Sequence, residues 1–144
     1  MAVSGSQLKE MAQDRLAEAE LLHANSFSHG AYYLGGYAIE FALKGVICDK
    51  FGVEVFTGGY EGSKFVGDAL KIHNLPALLV FSGLRPAYTK EASGIDGRRL
   101  SKAWSSVSQW NEQRRYDPLP CEMEEVGDFL EKVNYFLQWI ESHY

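Results

Sequence analysis

The sequence predicts an all-α fold in a single domain covering residues 1–144. Two observations predict it. Apolar side chains recur at helical spacing through several long stretches, and turn signals such as Asn25-Ser26, Gly58-Gly59 and Pro118 to Pro120 separate those stretches. No segment alternates apolar and polar residues as a half-buried strand does, and no internal repeat is present. With 46% apolar and 23% charged residues, the chain has the material for one hydrophobic core at an ordinary domain size.

Ser4 and Gln7 have the spacing of a capping box, so a first helix is expected from about Gln7 to Ala24, with Leu8, Met11, Ala12, Arg15, Ala19 and Leu22 on its inner face. A second helix, about Phe27 to Phe51, follows a turn in which Ser26 or Ser28 is the expected cap. Ala31, Leu34, Ala38, Phe41, Ala42 and Gly45 form its apolar stripe, and Ile39, Leu43, Val46 and Ile47 extend that character around its girth. Such a helix is central or shared with a second copy, and a homodimer is expected on this ground. Its small residues suit close backbone packing, with a local break at Gly35-Gly36 as the alternative.

Residues 52–72 read as a loop-rich insert, with a loop tip at Gly58 to Ser63 and a short helix over Lys64 to Ile72. The string Gly58 to Lys64 is not a phosphate loop: Ser63 stands where the glycine before lysine belongs, Phe65 where Ser or Thr belongs, and Glu61 would repel phosphate. Asn74 caps a short helix with Pro76 in its first turn, and Gly83 and Pro86 break the chain. Gly97 to Glu112 predicts a helix buried through Leu100, Ala103, Trp104, Val107 and Trp110. Pro118 and Pro120 exclude helix around them. The last helix starts near Glu122, with Glu124 and Glu125 suiting its positive end, and buries Val126, Phe129, Leu130, Val133, Leu137 and Ile140.

No apolar run is long enough for a membrane span, and the N-terminus has no basic start followed by an apolar stretch, so neither a transmembrane helix nor a secretory signal is expected. Cys48 and Cys121 have no metal or redox spacing and are expected to be reduced thiols of a cytoplasmic protein. The four histidines add no metal-ligand spacing, so no metal and no cofactor are expected. The net charge of −5 is unevenly spread. Residues 85–115 hold seven basic groups against three acidic ones, and residues 116–144 hold one against seven. The basic segment either meets a phosphate or acidic partner or is neutralised by the acidic last helix lying beside it.

Tyr33, Tyr37, Glu40 and Lys44 are separated by 4, 3 and 4 residues and share one stripe of the second helix. They line a groove, or else Glu40 and Lys44 form an exposed ion pair contributing about 0.2–0.5 kcal/mol. His73 orders the start of the helix after Asn74, and as a general base it has no evident orienting partner in the sequence. Arg114 and Arg115 suit a helix C-terminus, or Arg115 offers its planar fork to a phosphate while Tyr116 stacks on a base.

Residues 30–44 read Gly-Ala-Tyr-Tyr-Leu-Gly-Gly-Tyr-Ala-Ile-Glu-Phe-Ala-Leu-Lys; His73-Asn74-Leu75 follows, and Arg115-Tyr116-Asp117 stands after a tryptophan-bearing helix and before a final amphipathic one. In this order the chain resembles the HEPN domain family from about Met11 to Trp139, with Glu40 and Lys44 matching a Glu-x-x-x-Lys pattern. The resemblance implies an antiparallel up-and-down bundle of four to five helices, often dimeric, in a family whose members pair with small nucleotidyltransferases in toxin–antitoxin operons or act as metal-independent ribonucleases in defence. The ribonuclease members carry an Arg with four to six residues before a His. Here Arg15 and His23 have seven residues between them, and no other arginine has a His at the required distance. The resemblance therefore points to a binding or regulatory module with no catalytic residue assigned, beside a nucleotidyltransferase-type or other defence partner. Nucleotide or RNA would meet Tyr33, Tyr37, Glu40, Lys44, His73, Arg114, Arg115 and Tyr116. The alternative is a metal-independent ribonuclease with a non-standard active site.

Overall fold

The computed structural model describes residues 2–113 and 122–144, and these are helices and their connections, without strands. The capping box forms as a reciprocal pair, with Ser4 Oγ accepting from Gln7 N at 3.1 Å and Gln7 Oε1 accepting from Ser4 N at 2.9 Å. Helix α1 (Gly5–Ala24) starts there and buries Leu8, Ala12, Leu16 and Ala19. Leu16, not Arg15, completes that face, because Arg15 turns to Glu18 on the surface side.

Helix α2 (Ser28–Phe51) is continuous through Gly35 and Gly36. Neither Ser26 nor Ser28 caps it: the N-cap is Phe27, without a side-chain bond, and Ser26 takes a positive φ of 67° in the tight turn. The α1 and α2 axes run antiparallel, since Gly5 meets Cys48 at one end and Gly30 meets Leu22 at the other. The small residues make this pairing close, and a Cβ on Gly5 would fall 2.8 Å from the Cβ of Cys48.

Three short helices follow, α3 (Ser63–Leu70), α4 (Leu75–Phe81) and α5 (Arg85–Ala92). Asn74 caps α4 through its side chain, 2.9 Å from Ala77 N. Pro86 does not break the chain but sits in the first turn of α5, where its missing N–H has no partner to lose. Helix α6 (Arg98–Val107) ends sooner than its apolar pattern suggests, and Trp110 continues the buried face beyond the helix. Helix α7 (Met123–Glu141) begins after Glu122 and buries all six expected apolar positions plus Phe136. It runs antiparallel to α1: Met123 O meets His23 at the end of α1, and Glu141 meets Gln13 at its middle.

Seven helices stand among the described residues against the four to five expected of the bundle; the short α3 and α4 fall where short helices were expected, and α5 was not expected. The core forms where α2 packs against α1, α4 and α7, and where α6 packs on α7 through Trp104 stacked on Phe136 at 4.9 Å. No described helix is long and apolar enough to cross a membrane. Cys48 is buried as a free thiol, and burial pushes it above its ordinary pKa; Cys121 lies outside the described residues.

Candidate functional site

The central position of α2 decides the surroundings of its polar stripe. Successive members lie one turn apart, and the stripe descends from the molecular surface into the core. Tyr33 and Tyr37 are partly exposed, whereas Glu40 and Lys44 are only 1% and 2% exposed. The exposed-pair expectation for Glu40 and Lys44 is therefore corrected. Their shared helical spacing is the same for a surface pair and a buried one, and only the surrounding helices distinguish the two.

An isolated buried charge is strongly disfavoured, so each of these groups requires a partner. Lys44 Nζ donates to Glu40 Oε2 at 3.1 Å and lies 5.5 Å from the centroid of the Phe56 ring. The other Glu40 oxygen faces His73 Nδ1 at 2.9 Å. His73 sits in the 71–74 connection before α4, its side chain 40% exposed, and its Nε2 lies 3.2 Å from Glu112 Oε2. That same carboxylate oxygen receives the Tyr37 hydroxyl at 3.4 Å, and Tyr33 donates to Tyr37 at 3.0 Å. One polar chain therefore runs from buried Lys44 through Glu40, His73, Glu112 and Tyr37 to Tyr33.

This corrects the reading of His73 as lacking an orienting partner. Glu40 supplies one from 33 residues away in sequence, and the Cap residue Asn74 fixes the backbone next to it. Both ring nitrogens face carboxylates.

Aromatic rings wall the site. Tyr37 presents its edge to His73 at 6.1 Å and to Trp110 at 5.2 Å. Trp110 is 3% exposed and lies flat against Gly36, where a Cβ would come within 2.0 Å of the indole. Its Nε1 has no hydrogen-bond partner among the described residues. Burial, then the Tyr33 bond, then the negative charges of Glu40 and Glu112 raise the Tyr37 pKa well above its ordinary value.

Beside this chain lies a cleft of about 410 Å³ between residues 72–76 and 108–113, with His73 and Glu112 in its wall and the Asn74, Gln109, Asn111 and Gln113 amides around it. The volume falls in the range of small-molecule sites, roughly 300–1,000 Å³. An imidazole held at Nδ1 by a buried carboxylate in the wall of a cleft can donate to an oxyanion or move a proton once Nε2 is released from Glu112. Among the described residues no group of three or more His, Cys, Asp or Glu is arranged to hold a metal ion.

Tyr33, Tyr37, Glu40, Lys44 and His73 are thus brought together, whereas Arg114, Arg115 and Tyr116 lie outside the described residues. Glu112 and Trp110 are the members that sequence reasoning missed. Glu112 had no signal beyond its charge, and Trp110 read only as core. The chain matches no family model, and neither the curated proteins nor the solved structures contain a match to it.

Proposed function

We propose that this chain is a HEPN-like binding or regulatory module that takes a nucleotide or RNA at the His73 cleft and works beside a nucleotidyltransferase or another toxin–antitoxin or defence protein. The observation that carries the reading is His73 itself, held at Nδ1 by the buried Glu40–Lys44 pair and paired at Nε2 with Glu112, both residues lining the cleft. Glu112 occupies the position that an oxyanion of the ligand would take, so ligand binding displaces Glu112 from His73. In sequence Arg114, Arg115 and Tyr116 follow Glu112 after Gln113, and Arg115 and Tyr116 supply a phosphate fork and a stacking ring in this proposal. A cytoplasmic setting belongs to the same reading, as does the antiparallel HEPN-like bundle, which the antiparallel pairing of α1 with α2 and of α7 with α1 supports.

Overall negative charge opposes a polyanion, so affinity is weak and falls steeply with salt. The test is fluorescence polarisation with labelled oligouridylate in EDTA, across salt, for wild type, His73→Ala, Glu112→Gln and Arg115→Ala. Binding weakens in His73→Ala and Arg115→Ala and strengthens in Glu112→Gln, where the competing carboxylate is gone. Equal binding by all four proteins defeats the proposal.

One observation favours a second reading, the metal-independent ribonuclease with a non-standard site. Glu40 orients His73 as a general base is oriented by a carboxylate in acyl-transfer triads. The first reading expects no efficient cleavage, because the Arg–His spacing of the ribonuclease members is missing. Cleavage that survives EDTA and disappears in His73→Ala would favour the second.

A further inference from the structure

A second concave site, sharing no lining residue with the His73 cleft, lies between the start of α6 and the middle of α7. It is a hollow of about 430 Å³ walled by Arg98, Arg99, Lys102, Lys132 and Tyr135, with Glu131 as its single acid. The acidic helix α7 was an expected neutraliser of the basic segment. At this hollow it instead contributes a fourth cation and one carboxylate. None of the four cations is in an ion pair among the described residues.

Two features hold these like charges together. Gly97 lets the α5–α6 connection close tightly, because a Cβ there would fall 2.1 Å from Glu91 O, and this fixes where Arg98 and Arg99 emerge. The Arg99 guanidinium lies over the Tyr135 ring at 4.2 Å, which tethers α6 to α7 through a charge and an aromatic face. Arg98 and Arg99 also open α6, where the helix dipole disfavours cations. Intramolecular electrostatics thus oppose this cluster, and an anion in the hollow relieves the opposition.

We propose that the hollow is a phosphate-binding site that takes the phosphate of a nucleotide or of an RNA strand. Concavity favours a small phosphate group over a broad acidic protein face, and two guanidiniums match phosphate oxygens as planar forks. The proposal uses no residue of the His73 cleft, so either site can fail without the other.

The experiment is amide NMR of the full chain titrated separately with inorganic pyrophosphate, AMP, oligouridylate and a poly-glutamate peptide. Wild type is compared with Arg98→Gln/Lys102→Gln, with Lys132→Gln on the opposite wall, and with Lys64→Gln on α3 as control. Saturable shifts are expected around residues 98–103 and 131–135 with the phosphate probes. Affinity should fall at least tenfold in the double variant, fall in Lys132→Gln and hold in Lys64→Gln. For oligouridylate, four contacts give a log–log salt slope of about −3, which halves in the double variant. Tighter oligouridylate than AMP assigns the phosphate to a strand, and equal affinity assigns it to a free nucleotide. Circular dichroism identifies any unfolded variant, and the wild-type titration and the two walls tested separately keep the outcome decisive. Absence of saturable shifts at these residues with every phosphate probe overturns the proposal, as does a poly-glutamate peptide that binds as tightly as the phosphates.

Discussion

At Lys44 an ammonium group lies 2% exposed with Glu40 as its ion-pair partner, so removal of its charge leaves a buried carboxylate shared only with His73. Breaking a buried pair from one side costs about 3–5 kcal/mol. Lys44→Met is therefore expected to lower the thermal midpoint by on the order of 10 °C, followed by circular dichroism. Glu40→Gln/Lys44→Met should lose less than Lys44→Met alone, since no charge is then left unpaired. A midpoint unchanged in Lys44→Met contradicts the buried pair. Tyr37 and Tyr144 give a second prediction. Burial is the largest cause at each, raising Tyr37 well above its ordinary value and pushing Tyr144 up to about 12. Above the unfolded tyrosine pKa of about 10, the unfolded state loses these protons before the native state does. The stabilisation is thus complete below about pH 10 and declines as pH rises further. In a spectrophotometric titration, Tyr37→Phe should remove a late-ionising component; loss of an ordinary one instead contradicts the buried hydroxyl. The sequence showed the α2 stripe but not its depth, and it could not pair His73 with Glu40 or Glu112, because those contacts cross elements and leave no periodicity.

Helix α2 shows why small residues recur where glycine is otherwise unfavourable. An added Cβ on Gly36 would meet the Trp110 indole at 2.0 Å, whereas one on Gly67 in α3 would meet nothing nearer than Lys71 Cε at 3.8 Å. Gly36→Ala must displace a ring, and overpacking of this kind costs about 1–3 kcal/mol. Gly67→Ala should instead be neutral or stabilising by up to about 1 kcal/mol. Denaturant melts compare the two, and tryptophan emission should move to longer wavelength only in Gly36→Ala. Equal stability in both variants contradicts the Trp110 seat. The long helices α1, α2 and α7 were legible because each repeats its apolar face over several turns. Helix α5 was not, since Pro86 carries the same letter whether it ends a helix or opens one. The end of α6 was overrun for a related reason: Trp110 keeps the helical spacing of the buried face although the backbone has already left the helix.

Over the whole molecule, the original ground for a homodimer is corrected. The apolar girth of α2 is consumed within the chain: Ala31, Ala38, Ile39, Ala42, Leu43, Val46 and Ile47 are all buried. A proposed homodimer now rests on the end where Leu21 and Phe27 are 66% and 61% exposed beside Met123, which receives the Ser28 hydroxyl. Light scattering behind size exclusion should give about twice the 16.2 kDa chain mass, and Phe27→Glu should halve it; a 16.2 kDa species at high micromolar concentration contradicts the dimer. In the function proposed, a ligand is recognised at His73, between the buried Glu40 that orients it and the Glu112 that the ligand is proposed to displace. The most direct measurement is the imidazole nitrogen spectrum of ¹⁵N-labelled protein, with His73 assigned through His73→Ala, during titration with oligouridylate. His73 Nε2 is expected to shift saturably while Nδ1 keeps its bond to Glu40. Saturable oligouridylate binding that leaves both His73 nitrogens unmoved contradicts it.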